Sequence, residues 1–158
     1  MARVQLVRPE DADLRHLAQN LRAADRQELA ATHGYDIDLL QCLQTAVSAS
    51  EEAFIAVTAY GEPIAVFGVA PVSLLGGIGC PWMLGTDTMD LYGRAVVTLS
   101  RQHVARWAQR YSLLFNYVDA RNLRSIAWLK RTGFAILPAA PYGLSGEPFH
   151  RFERRLNA

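Results

Sequence analysis

Apolar residues run almost unbroken from Leu113 to Val118, then re-space at helical intervals before a glycine stop, in SLLFNYVDARNLRSIAWLKRTGF (Ser112 to Phe134). The run is rich in branched and aromatic residues, which predicts a strand covered on both faces. Asn122 offers a side-chain oxygen to the free N–H groups of a helix start. Leu123, Ile126 and Ala127 form one apolar patch at helical spacing, with Leu129 at its edge. Lys130 and Arg131 place positive charge at the negative end of that helix. Gly133 suits the left-handed conformation that closes it, and Phe134 opens the next strand.

Upstream, Arg3 to Arg8 alternates around Val4 and Leu6 as a first strand. Pro9-Glu10-Asp11 then starts a helix whose stripe is Leu14, Leu17, Ala18 and Leu21. A second short helix covers Ala24 to Thr32 and ends at Gly34, and Asp36 or Asp38 caps a third with the stripe Leu39, Leu40, Leu43 and Val47. Ala53 to Tyr60 is a strand, Gly61-Glu62-Pro63 a turn, and Ile64 to Val69 its antiparallel partner. Pro71 to Gly79 reads as a loop and Gly79 to Leu84 as the next strand. Pro81 within that strand has no N–H for a ladder, which marks an edge or a bulge.

A long helix, Leu91 to Arg110, gathers Tyr92, Val96, Leu99, His103, Trp107 and Tyr111 on one face. Arg94, Thr98, Arg101, Ala105 and Gln109 share the other. Ala135 to Leu137 is a strand, Pro138 to Pro148 a loop, and Phe149 to Leu156 an edge strand guarded by Arg151, Glu153 and Arg155. The order predicts an α+β domain with a mixed sheet of about seven strands and helices on both faces.

Composition narrows this little. A chain of 158 residues makes one domain, and a formal net charge of +1 argues against a dominant nucleic-acid or anionic-membrane surface. Cys42 and Cys80 form no CxxC or zinc spacing and read as buried free thiols. His16, His33 and His150 share no ligand spacing, so no metal site is expected. The start lacks a signal-peptide core and no apolar run approaches a membrane span, so the expectation is a soluble protein made in a cytoplasm.

The strand ending in Val118, then Asn122, an apolar helix and Gly133-Phe134, resembles the C-terminal half of the GNAT acyltransferase fold. A narrower set is similar to small tailed-phage proteins with a GNAT-like fold, some of them internal virion proteins: Trp82 to Thr86 with Asp87, Leu91, Gly93, Ala95, Tyr111, Asn116-Tyr117-Val118, Asn122 and Leu129-Lys130. This resemblance implies a mainly antiparallel seven-stranded sheet with a splay between the fourth and fifth strands, Gly79 to Leu84 and Leu113 to Val118. It also implies a virion-associated role in head morphogenesis or DNA ejection, with other virion or host proteins as partners and weak or no catalysis. The location would be the host cytoplasm and then the virion interior. The alternative is an acetyl-CoA-dependent N-acetyltransferase acting on a host or phage amine. A third reading is an interaction module that uses the Pro138 to Pro148 loop.

In GNAT enzymes the segment matching Asp90-Leu91-Tyr92-Gly93-Arg94-Ala95 holds the pyrophosphate of acetyl-CoA. Gly93, Arg94 and Ala95 are its implied counterparts here, joined by Met83 and Leu84 on the splayed strand and by Asn122. Asp90 departs from the family's Gln or Arg and reads as an ordinary helix cap. Leu129 stands where many of these enzymes have a proton-donating tyrosine. Asp87 and Tyr117 are then the candidate catalytic residues, with His33 a further acid or base. Asn116 is expected to satisfy backbone groups left unpaired by the splay. His103, Trp82, Trp107 and Trp128 read as core.

Overall fold

The computed structural model describes residues 3–73 and 75–156. Strand β1 (Val4–Val7) leads into three helices, α1 (Asp11–Asn20), α2 (Ala23–His33) and α3 (Leu39–Ala49). Strands β2 (Glu52–Thr58), β3 (Pro63–Ser73) and β4 (Ile78–Gly85) follow, then a 3-10 turn (Asp87–Tyr92) and helix α4 (Gly93–Arg110). The chain closes through β5 (Leu113–Asp119), α5 (Leu123–Arg131), β6 (Ala135–Ile136), β7 (Ala140–Tyr142) and β8 (Glu147–Arg155). These form an eight-stranded sheet in the order β1-β2-β3-β4-β5-β8-β6, with β7 also on β8. Every pairing is antiparallel except β4 with β5.

Alternation along the strands sends side chains to two helical layers. Ile55, Val57, Val66 and Leu84 meet Leu14, Leu17 and Leu43 of α1 and α3. Phe67, Val69, Leu114 and Val118 meet Val104 and Trp107 of α4 and Leu129 of α5. Trp107 is 1% exposed and donates its indole N–H to Glu52 over 2.9 Å. Glu52 also pairs with Arg110 at 3.2 Å and with Arg106, pinning the end of α4 to the start of β2.

The structure departs from expectation in particular places. The Pro71 to Gly79 loop shrinks because β3 extends to Ser73 and β4 starts at Ile78. The Pro138 to Pro148 loop contains β7. β8 is not an edge: β5 lies on one side and β6 and β7 on the other, so Arg151, Glu153 and Arg155 mark a polar face of an interior strand. On α5, Leu123 is 73% exposed while Leu129 is 4% exposed, so Leu129 with Ile126 anchors the helix, and Leu123 and Ala127 of the expected patch face outward. The long helix begins at Gly93, two residues later than its apolar pattern suggested. His103 does sit among Phe54, Phe67 and Trp107, and its Nδ1 lies 2.9 Å from Arg106.

Candidate functional site

Among the described residues, β4 and β5 pair only at Ile78–Leu113 and Gly79–Leu114; beyond Gly79 they separate. A strand residue's N–H and C=O point to the same edge, and that edge alternates along the chain. The Pro81 carbonyl accepts from Asn116 Nδ2 on β5 at 2.9 Å, so Pro81 faces the splay. Its missing N–H therefore takes nothing from the β3–β4 ladder, which is how a central strand tolerates a proline. Gly85, four residues on, also faces the splay: its N–H donates to Asp25 at 2.8 Å and its carbonyl accepts from the Arg22 N–H at 2.9 Å. Between them lies Met83. Its amide and carbonyl point into the gap and have no partner on β5 among the described residues. Asn116 does what was expected of it, satisfying a carbonyl that the splay leaves unpaired.

At the open end of the splay, α4 starts without a side-chain cap. Asp90, expected to provide one, pairs instead with Arg22 at 3.5 Å and with Arg124. Two guanidiniums outcompete neutral amides for a carboxylate, because charge-assisted contacts are the stronger ones. Burial opposes the Arg22 charge, yet its hydrogen bonds to Asp25 and the charges of Asp25 and Asp90 hold its pKa above the ordinary arginine value. Gly93 has helical φ −51° and ψ −42°, and a Cβ built there would meet nothing within 4 Å. Neither the backbone nor the packing requires a glycine at this position. The space in front of it suits an anion approaching a helix N-terminus.

A cavity of about 1020 Å³ runs through the splay. Met83, Leu84, Gly93, Asn116, Tyr117 and Leu129 line it, as does Glu28 from α2. Tyr117 stacks on Tyr142 with ring centroids 4.0 Å apart. Burial, with Tyr117 and Cys80 alongside, raises Tyr142 above the ordinary phenol value and keeps it protonated. Leu84 lies in the core, with its backbone turned to β3 by the same alternation. Arg94, Ala95 and Asn122 are outside the lining; Arg94 is exposed beside it. Asn122 caps α5 through Ser125 N–H at 3.3 Å and donates to Glu28 at 3.1 Å, so its side chain is committed within the protein. Asp87 is exposed in the 3-10 turn, beside His16, Asn20 and Glu62 and away from the cavity. Trp128 lines the cavity with its indole N–H buried and unpartnered among the described residues.

No sequence pattern pointed to Glu28, Arg22 or Asp25. Their helix has no sustained apolar stripe, so its polar residues read as a solvated surface. In the fold that helix lies across the end of β5, and Glu28 accepts from the Asp119 N–H at 2.9 Å and from Asn122. Burial, aided by Asp25 and Asp119, outweighs these hydrogen bonds and pushes Glu28 up from 4.5 to about 7. A raised folded-state pKa contributes stability that is complete below the unfolded value and lost as pH rises through the folded one. Urea denaturation should therefore show stability falling between about pH 4.5 and 7 in the wild type, with a shallower fall in Glu28→Gln. Burial also pushes Cys80 to about 11, leaving it an inert thiol. Among the described residues no cluster of His, Cys, Asp or Glu could hold a metal ion, and no helix is long and apolar enough to cross a membrane.

No protein-family model matches this chain, and no curated protein matches it in sequence. Solved structures do match over nearly its whole length. Spermidine N-acetyltransferase from Vibrio cholerae, in complex with CoA and spermine, superposes with a TM-score of 0.72 at 14% identity, over 97% of this chain and 95% of that one. A GCN5-related N-acetyltransferase from Kribbella flavida gives 0.68 at 17% identity, over 97% and 98%. A dodecameric form of the Vibrio cholerae enzyme gives 0.64 at 13%, over 97% and 94%. These likenesses do not bear on the tailed-phage virion proteins. With its parallel β4–β5 pair in a mostly antiparallel sheet, the chain has the GNAT-like N-acetyltransferase fold.

Proposed function

We propose that this protein is an acetyl-CoA-dependent N-acetyltransferase acting on an amine. The observation that carries the reading is one cavity joining the free Met83 backbone to the open helix end at Gly93. The Vibrio cholerae relative in complex with CoA and spermine supports it at the level of fold. Acetyl-CoA would supply an activated thioester carbonyl. The first turn of α4 would hold its diphosphate, because Asp90 is already neutralised by Arg22 and Arg124 and no longer opposes an anion. The Met83 N–H is placed to polarise the acyl oxygen as it gains charge. Leu129 cannot donate a proton, so that role passes to the Tyr117–Tyr142 pair across the cavity.

Calorimetric titration with acetyl-CoA tests the reading. Saturable binding is expected, and acetyl-CoA at 100 times its Kd should stabilise the fold by about 2.7 kcal/mol. Neither heat nor a thermal shift would end the transferase reading and return the chain to the non-catalytic virion role. With binding in hand, Tyr117→Phe should lower kcat and leave acetyl-CoA affinity unchanged.

A further inference from the structure

Three carboxylates line the cavity: Glu28, Asp38 and Asp90. Asp90 is held by two arginines, and Asp38 caps α3 by accepting from the Gln41 N–H at 3.1 Å. Neither Asp38 nor Glu28 has a cation in hydrogen-bond contact among the described residues, but Asp38 is exposed and Glu28 is not. Glu28 Oε1 takes both protein bonds, from the Asp119 N–H and from Asn122. Its Oε2 has no protein partner, and it is not sealed from the cavity. One oxygen is fixed and the other is free, as a positioned base requires.

We propose that Glu28 is the group that binds the ammonium of the acceptor amine through Oε2 and removes its proton, an assignment that rests on the transferase reading above. The proton passes from nitrogen to Oε2, and the freed lone pair forms the C–N bond to the acyl carbon. The C–S bond breaks with its electron pair going to sulfur, which takes a proton from the Tyr117–Tyr142 pair, itself reprotonated from solvent. The second amine proton leaves the new amide nitrogen to water, and Glu28 returns its own to solvent. A base near neutrality suits this task, and burial brings Glu28 there. The charged groups around it do not supply a competing cation. Arg22 is taken by Asp25 and Asp90, and Arg121 by Asp119. Arg124 is taken by Asp90, and His33 Nδ1 by Thr32 Oγ1 at 2.7 Å. The remaining Arg131 of the lining is exposed.

Carbon-13 NMR of protein labelled at glutamate carboxyls reads Glu28 directly, and release of CoA thiol from acetyl-CoA with n-butylamine reads turnover. In the wild type one carboxyl should titrate near 7 and vanish in Glu28→Gln, while kcat/KM rises with pH through the same region. Glu28→Gln should keep acetyl-CoA affinity, lose about 10²–10⁴-fold in kcat and flatten that rise. Glu28→Asp, which keeps a carboxylate, should recover part of the rate. A purely structural glutamate would shift the stability of these variants without touching the pH–rate profile. A Glu28 carboxyl titrating at the ordinary glutamate value, or a Glu28→Gln profile matching the wild type while acetyl-CoA still binds, overturns the assignment alone. Failure of the wild type to bind acetyl-CoA removes the transferase reading, and the assignment with it.

Discussion

Asp25→Ala is expected to lose about 3–5 kcal/mol of folding stability, the usual consequence of removing one partner from a buried ion pair. Asp25 is 1% exposed and Arg22 7%, and they meet through two hydrogen bonds of 3.0 and 3.2 Å. The same carboxylate accepts from the Gly85 N–H at the end of the splay. Alanine leaves that amide without a partner, a loss of about 1–3 kcal/mol on its own. It also leaves Arg22 with Asp90, a longer contact of 3.5 Å to a more exposed side chain. At 2–4 °C per kcal/mol for a chain of this size, melting should fall by roughly 10 °C. Arg124→Ala is the control: its side chain is 72% exposed, so less than about 1 kcal/mol should be lost. Urea denaturation of the two variants checks both figures. A loss below about 1 kcal/mol for Asp25→Ala would mean that the Arg22 cluster does not hold the end of β4.

That cluster also marks where the sequence stopped being legible. Local chemistry was readable: Asp38 caps α3, Asn122 caps α5, and Gly34 and Gly133 end their helices with φ of 98° and 96°. Each of these depends on residues within one turn. The role of Asp90 depends on Arg22 and Arg124, 68 and 34 residues away, and a carboxylate before a helix looks like a cap until those arginines arrive. Glu28 is the same case at greater range, 91 residues from Asp119. β8 fails for another reason. Alternating charge reports which face meets water; it carries no information about whether a strand's edges are paired. The splay was expected from the family resemblance; Pro81, read as marking an edge or a bulge, sits instead in an interior strand in unbroken register with β3, and Asn116 satisfies the carbonyl it turns to the gap.

Gly93→Leu should weaken acetyl-CoA binding by about 10–100-fold, the loss of a hydrogen bond to a charged group, and leave melting unchanged or higher. Glycines with ordinary φ differ in what surrounds them. At Gly85 a Cβ would lie 2.6 Å from Met89 Sδ, and at Gly68 2.5 Å from the Glu52 carbonyl; protein packing demands glycine at both. At Gly93 a Cβ would meet no protein atom within 4 Å, and the backbone there is ordinary helix. Gly93 is the first residue of α4, and nothing in the protein's own packing calls for a glycine there. On the transferase reading, the missing side chain lets a diphosphate reach the first amides of α4 at closer range than a larger residue would permit. Leucine there keeps the fold and the charges of Asp90, Arg22 and Arg124, and removes only that approach. Calorimetry and melting on the same variant separate the two effects. If Gly93→Leu melted higher and bound acetyl-CoA as tightly as the wild type, the diphosphate would have to sit elsewhere, and the helix end would be an ordinary one.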